Sequence, residues 1–329
     1  MTMSVPLVSI IIPVFNAERW IGATIESALA QDWQAKEVIV VDDGSVDGSL
    51  RVIRRYEAAG VRTITQSNGG GSAARNAGFK ACRGAYIQFL DHDDLLAVDK
   101  ISTQMATVAG RDDGPVAGVW TRFRGDTAGA FGPWEPVAAL RHDWAPIDWL
   151  IRSPLVPTCA WLTPRPLVEA AGLWNETLVS NPDDDGEFFM RVFSHSERIL
   201  FCERSRSYFR AESASSAGHS RGVDALRSVF EICKSYESIV RAANDSDEAR
   251  QASANRYLAF MYMAYPLCRE LILEAEARVV NLGGDPSRVP NTPLYEQLSK
   301  VTGWRTAKRL QQMWHSIRQA GLRRSPSRI

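Results

Sequence analysis

Four short apolar runs dominate the first ninety residues: VSIIIPVF, KEVIVVDD, RTITQS and AYIQFLD. Each is rich in β-branched residues and short enough for a strand, and helical stretches separate them. The first helical stretch covers about Ala17 to Gln31 and places Trp20, Ile21, Ile25, Ala28 and Leu29 on one face. The second covers about Asp47 to Ala59 and stops at Gly60, and SAARNAGFKAC forms the third. Apolar strands alternating with helices require a mostly parallel sheet covered on both faces, a Rossmann-like α/β fold. Such sheets bind ligands beyond the carboxyl ends of their strands. Phe15-Asn16, Asp42-Asp43 and Asp91-His92-Asp93 all fall at those ends, so one site is expected there.

Further on, the pattern turns mixed and rich in Trp and Pro. Strands are expected at VAGVWTRF, TCAWLT and RILFCE, and helices at Asp143 to Ile151, Arg165 to Ala171 and Gly186 to His195. From Val223 onward the reading is helical, with turns near Asn244-Asp245 and Gly283 to Pro286. The expected organisation is an α/β domain over 1–220 and a helical region over 221–329. The domain divides into halves at about 5–110 and about 111–220, and the helical region ends in a basic tail at 304–329.

Charge and cysteines narrow the function classes. The formal net charge is zero, yet 304–329 holds seven Lys and Arg and no Asp or Glu, which leaves the body acidic. An acidic body argues against nucleic-acid binding. The five cysteines are scattered with no CxxC pair, which argues against structural zinc and fits a reducing, cytoplasmic setting. No apolar run approaches the roughly 20 residues of a membrane span. MTMSVPLVSIIIPVF lacks a basic leader and reads as a first strand.

Each polar cluster has two readings. Asp91-His92-Asp93-Asp94 suits a turn and a helix cap, but the excess of carboxylate suits a divalent cation, Mn²⁺ or Mg²⁺. Asp42-Asp43-Gly44-Ser45 is a tight turn, and its second acid can accept a hydrogen bond from a nucleobase or a ribose. NGGGSAARNAG resembles a dinucleotide fingerprint but follows the third strand rather than the first. Its milder reading is close backbone approach at Gly71 with Arg75 fixing a ligand. NPDDDGEFFMR places acids at a helix start, where they also suit a general base. Trp120, Trp144, Trp149 and Trp161 fit either sugar stacking or a core. In 304–329, Ala307, Leu310, Met313, Trp314 and Ile317 share an arc opposite Arg305, Lys308 and Arg309. That pattern fits a membrane-surface helix or a docked terminal helix.

Together, VSIIIPVFNAE, VIVVDDGSVDGS, NGGGSAARNAGFKACRGAYIQFLDHDD and AGLWNETL…DDDGEFFMRV resemble family 2 glycosyltransferases with the GT-A fold, over roughly residues 5–210. The resemblance implies a donor-nucleotide pocket at Pro13, Phe15 and Glu18, with Asp42, Gly71 and Arg75 also at the donor. It implies base reading by Asp43, a metal ligand at Asp93 and a ribose or metal contact at Asp91. It puts the catalytic base at Asp185, with Asp184 as the alternative. Where the family often shows a His after Tyr-Arg, this chain has Tyr208-Phe209-Arg210-Ala211-Glu212, with His219 further on. The resemblance makes about 5–110 the nucleotide-sugar half and about 111–220 the acceptor half, and implies inverting, metal-dependent transfer from a UDP-, GDP- or dTDP-sugar to a glycan or lipid-linked hydroxyl; the basic tail points to a lipid carrier and so to surface polysaccharide synthesis. Its expected setting is cytoplasmic, peripheral to the inner membrane face through 304–329. The alternatives are an NAD(P)-dependent oxidoreductase built on the glycine turn and a non-catalytic nucleotide-sugar-binding subunit.

Overall fold

The computed structural model describes residues 5–125, 132–152, 154–178, 183–211, 222–290 and 292–322. The chain forms two compact units, Met1–Ser220 and Arg221–Ile329. Glu212, His219 and the end of the basic tail lie outside the described residues.

In the first unit, β1 (Val8–Val14), β2 (Lys36–Asp42), β3 (Val61–Thr65) and β4 (Tyr86–Phe89) pair in parallel in the order β3-β2-β1-β4. Alternate β1 residues serve two faces, as the strand period demands. Val8, Ile10, Ile12 and Val14 join a core with Ile21, Ile25 and Ala28 of α1 (Ile21–Leu29), Val52 and Ile53 of α2 (Ser49–Arg54) and Ile101 and Met105 of α4 (Lys100–Val108). Ile11 points the other way, against α3 (Gly71–Ala81). A Cβ at Gly78 would stand 2.4 Å from the Ile11 Cγ2, so a glycine lets that helix lie on the strand. Pro13 sits one residue before the end of β1. Leu90 N–H donates to Ile11 O (2.9 Å), so odd-numbered β1 backbone faces β4, and at Pro13 β4 has ended. The missing proline N–H therefore breaks no ladder bond.

The second half of this unit extends the same sheet. The strands β5 (Leu95–Leu96), β6 (Val116–Phe123), β7 (Trp134–Glu135), β8 (Trp161–Pro164) and β9 (Leu200–Arg210) continue it as β4-β8-β6-β9-β5, with β7 on β6. β8 is antiparallel to β4 and β6, whereas β9 is parallel to β6. The helices α5 (Pro146–Arg152), α6 (Arg165–Ala171) and α7 (Asp184–Ser194) cover it. Aromatic side chains fill the layer between: Trp161 stacks on Phe189 (5.4 Å), and Trp174 stacks on Phe188 (4.2 Å). Trp120, Trp144, Trp149 and Trp161 are 3%, 8%, 3% and 2% exposed, so of their two readings the core one holds.

The second unit is helical: α8 (Val223–Ala243), α9 (Asp247–Ala264), α10 (Arg269–Asn281), α11 (Pro293–Thr302) and α12 (Trp304–Leu322). Ser246 caps α9 by accepting from Ala249 N–H, and Thr292 caps α11 by accepting from Tyr295 N–H. Phe230, Tyr257, Phe260, Met261, Ile272, Val279, Tyr295 and Trp304 share its own core. Among the described residues no helix is long and apolar enough to cross a membrane.

Candidate active site at the carboxyl edge of the parallel strands

Three loops meet at this edge because each parallel strand ends there. After β1, Asn16 adopts a left-handed conformation (φ 49°), which Asn tolerates better than most residues. Its N–H donates to Ser45 Oγ (3.0 Å), and its Oδ1 accepts from Val46 N–H (2.9 Å), so the β1 and β2 loops are riveted together. Phe15 stands beside it, 44% exposed. Glu18 turns to the neighbouring loop, where its carboxylate accepts from Gly48 N–H (3.0 Å) and Arg51 (2.5 Å).

The two acids that end β2 differ. Asp43 accepts three hydrogen bonds, from Gln66 Nε2 (2.7 Å), Gly69 N–H (2.9 Å) and Gly70 N–H (2.8 Å). Gly70 has φ 89°, a conformation that turns its N–H inward at little cost for glycine alone. The glycine turn is therefore committed to a carboxylate of its own chain. A dinucleotide site needs those N–H groups for a pyrophosphate, and β3 is at the end of the sheet order rather than its centre. The oxidoreductase reading loses its physical basis. Asp42 is buried, and its Oδ1 has no hydrogen-bond partner among the described residues.

The acidic loop after β4 is held by α1. Thr24 Oγ1 lies 2.8 Å from His92 O and 3.0 Å from Asp94 O. Asp94 Oδ1 accepts from Arg210 N–H (2.9 Å), and Arg210 Nε donates to Asp93 O (2.8 Å). The Arg210 guanidinium also donates to Gly125 O and packs between the rings of Trp20 (4.0 Å) and Phe123 (4.3 Å). Among the described residues the Asp93 carboxylate is met only by its own backbone N–H, and Asp94, beside the Cys159 thiol, keeps a buried Oδ2 without a hydrogen-bond partner. Burial pushes the Asp93 carboxyl above its usual range and the Asp94 carboxyl well above it, and their neighbouring acids add to both shifts. Two buried acids short of donors suit a cation.

Among the described residues no three His, Cys, Asp or Glu side chains form a ready-made metal cage. That does not disqualify the site, because Mg²⁺-type ions typically take one or two carboxylates plus substrate phosphates and water. Asp93 and Asp91 fit such a half-site.

Arg75 ties this loop to α7. It is buried, and its Nη2 donates to Asp91 Oδ1 (2.7 Å) and its Nη1 to Asp184 Oδ2 (2.9 Å). Its guanidinium stacks on Trp174 at 4.3 Å. Burial alone would disfavour its charge, but Asp91 and Asp184 outweigh that and hold it firmly protonated. Gly71, at the start of the same helix, leaves room for the guanidinium: a Cβ there would lie 3.1 Å from Arg75 Nη1. Next to Asp184, Asp185 is half-buried and lies 3.3 Å from Thr158 Oγ1. Burial first, then Asp184 and Asp183, raise its carboxyl to about 7, with Arg75 opposing. A carboxyl poised there suits proton transfer near neutral pH.

The sequence-expected residues thus fall into three groups. Asp91, Arg75, Asp184 and Asp185 gather in one network, with Asp93 two residues along the loop from Asp91. Phe15 lies at the exposed edge, while Pro13, Asp42 and Asp43 line the strand ends from within. Glu18 is engaged by the β2 loop. Sequence reasoning missed the Arg210 clamp and the Thr24 anchor, since both join residues far apart in the chain.

Comparison with known proteins places this arrangement. Residues 9–158 match the profile described as Glycosyl transferase family 2. A Rickettsia bellii protein named an uncharacterized glycosyltransferase is 27% identical over 296 residues, covering 84% of this chain and 41% of its own. The chain spans about two-fifths of the length of that relative and of one from Haemophilus influenzae. Among solved structures, S. aureus TarS 1-349 in complex with UDP-GlcNAc superposes with a TM-score of 0.62 at 16% identity, covering 95% of this chain and 92% of that one. The mannosyltransferase PcManGT from Pyrobaculum calidifontis, in complex with GDP-Man and Mn²⁺, gives 0.57 at 17%, covering 94% and 88%. These likenesses show the fold, a GT-A-like mixed sheet flanked by helices and followed by a helical region.

Proposed function

We propose, on the match of residues 9–158 to glycosyltransferase family 2, that the protein is an inverting, metal-dependent glycosyltransferase. It moves a sugar from a nucleoside-diphosphate donor to a hydroxyl of a glycan or lipid-linked acceptor, in surface polysaccharide synthesis. The observation that carries this reading is Arg75, which joins Asp91 of the β4 loop to Asp184 of α7. Donor-side acids and acceptor-side acids, some ninety residues apart in sequence, become one site.

Asp93 and Asp91 would hold a divalent cation, which when bound neutralises charge on the leaving diphosphate. Phe15, exposed at the sheet edge, offers a face for the nucleobase, and Asp43 keeps capacity for one further hydrogen bond, since a carboxylate has about four acceptor positions. Asp185 takes the proton of the acceptor hydroxyl. The hydroxyl oxygen then bonds the anomeric carbon as the bond from that carbon to the diphosphate oxygen breaks. One displacement inverts the centre. The TarS and PcManGT complexes, with UDP-GlcNAc and with GDP-Man and Mn²⁺, support a nucleotide-sugar donor and a divalent ion.

The test is donor consumption by the full chain across UDP-, GDP- and dTDP-sugars with Mn²⁺ or Mg²⁺, using glycan and lipid-linked acceptors, with product anomers assigned by NMR. Transfer with inversion, lost on chelation, is the expected result. Retention, or equal turnover in chelator, contradicts it. Nucleotide-sugar binding with no turnover on any acceptor favours a non-catalytic binding subunit.

A further inference from the structure

Asp184 and Asp185 stand side by side at the start of α7, yet their surroundings divide them. Asp184 is taken up by its neighbours. Its Oδ2 accepts from Arg75 Nη1 (2.9 Å) and lies 3.5 Å from Ser72 Oγ, and its Oδ1 accepts from Asp185 N–H (3.1 Å). Asp185 Oδ1 accepts from Gly186 N–H (2.9 Å). That leaves Asp185 Oδ2 facing one side-chain donor among the described residues, the Thr158 hydroxyl at 3.3 Å.

That hydroxyl is held in place. Thr158 is 1% exposed and opens a single 3-10 turn, Thr158–Ala160. Three elements pin the turn. Cys159 O accepts from Gln88 Nε2 of β4 (3.2 Å) and from Ser207 Oγ of β9 (3.0 Å), and Ala160 O accepts from Gln104 Nε2 of α4 (3.0 Å). A valine at 158 would match the shape of threonine without burying a hydroxyl, which costs free energy unless it is hydrogen-bonded. Packing alone therefore does not call for threonine here. A contact of 3.3 Å is long for a hydroxyl on a carboxylate. Such bonds shorten to roughly 2.5–2.7 Å when the acceptor carries its full charge, and catalytic ones often tighten only with substrate bound. A hydroxyl donor favours the ionised acid over the protonated one.

We propose that Thr158 is a positioning residue for the transfer reaction: its hydroxyl fixes Asp185 Oδ2 in the orientation that takes the proton of the acceptor. This rests on Asp185 being the base, and it follows the general pattern in which a third group orients a base. The charges that act on Asp185 come from Asp184 and Asp183 of its own helix, Asp91 of the β4 loop and Arg75 of α3. Thr158 is its uncharged partner.

The test compares Thr158→Val, Thr158→Ser and Asp185→Asn with wild type in the full chain. Thr158→Val should lower kcat roughly tenfold, as loss of a hydrogen bond to a charged group does, with the donor KM and the divalent-ion requirement unchanged. The acid limb of its pH–rate profile should move to higher pH, because the ionised form loses a donor. Thr158→Ser keeps the hydroxyl and should restore both. Placed on Asp185→Asn, the valine change should cost nothing further. Carbon-13 NMR of the Asp185 carboxyl, assigned by its loss in Asp185→Asn, reads ionisation without turnover. Its midpoint should rise in Thr158→Val and stay in place in Thr158→Ser. An unmoved midpoint in Thr158→Val, a wild-type kcat in that variant, or a serine variant as impaired as the valine one overturns the proposal and leaves the base assignment standing. Unchanged turnover in Asp185→Asn removes the base assignment, and the role of Thr158 with it.

Discussion

Asp43 and Asp93 both follow the carboxyl end of a buried parallel strand, yet they are treated oppositely. Asp43 is met by three donors, two of them backbone N–H groups of a glycine turn shaped to reach it. Asp93 is also buried, yet among the described residues only its own backbone N–H meets its carboxylate, and burial pushes its carboxyl up. A carboxylate that folding satisfies holds a turn in place. One that folding leaves short of donors is kept for something that arrives later, because a buried charge without partners is costly. Sequence alone cannot separate the two acids, since both read as acid clusters ending apolar strands.

The largest expected effect extends the comparison to α7, where Asp185 is also crowded and raised. Asp185→Asn should cut transfer by roughly 10²- to 10⁴-fold while nucleotide binding persists. Steady-state kinetics beside nucleotide titration measures both, and unchanged turnover removes the base assignment. Next is the strut that joins the two sides. Arg75→Lys keeps the charge but cannot span Asp91 and Asp184 in the same fork, and a lost charged hydrogen bond of about 1.5–3 kcal/mol amounts to roughly 10- to 100-fold in kcat/KM. Smaller, and different in kind, is Asp43→Ala. It strands buried donors at about 1–3 kcal/mol, so chemical denaturation should show lost stability with or without divalent ions. Stability unchanged in that variant would erase the distinction between the two strand ends.

The last effect concerns pH. Asp185 titrates at about 7 in the folded chain, above the roughly 3.9 of a free Asp. The folded state then binds the extra proton between those values, so raising pH across that window disfavours folding. The melting temperature of wild type should fall relative to Asp185→Asn from about pH 4 to pH 7 and run parallel above it. Transfer should show an acid limb near 7, because a base must be ionised.

Much of this architecture is legible in the residues. The strands β1 to β4 follow from apolar runs, and their shared edge follows from parallel pairing, which is why Asp91, Asp93 and Asp43 could be grouped. The helix α4 is another matter. Lys100 at its start is fully buried, donates to Gln88 Oε1 and to Trp161 O, and is pulled down to about 7 by burial. A lysine in KISTQMATV gives no sign of a core position. The two-residue strands β5 and β7 exist through their partners rather than through their own pattern. Arg210 lies beyond the strand expected at RILFCE, and only its place at the end of β9 and its packing between Trp20 and Phe123 reveal a clamp on the Asp93-Asp94 loop. Glu18, grouped with the donor pocket by resemblance, bonds the β2 loop at Gly48.

The most direct measurement is the thermal stability of wild type, Asp93→Ala and Asp43→Asn with UDP, GDP and dTDP, each in Mn²⁺, Mg²⁺ or chelator. A ligand that binds only the folded state raises the melting temperature by mass action. The expected result is a rise with one nucleotide and divalent ion in wild type, abolished in Asp93→Ala and by chelator. In Asp43→Asn it should be weaker, for the hydrogen bond lost to the base, but still dependent on the divalent ion, on a lower baseline. A rise that survives in Asp93→Ala, or that is indifferent to chelator, would contradict the claim that Asp93 is left short of donors for the sake of a metal-bound diphosphate.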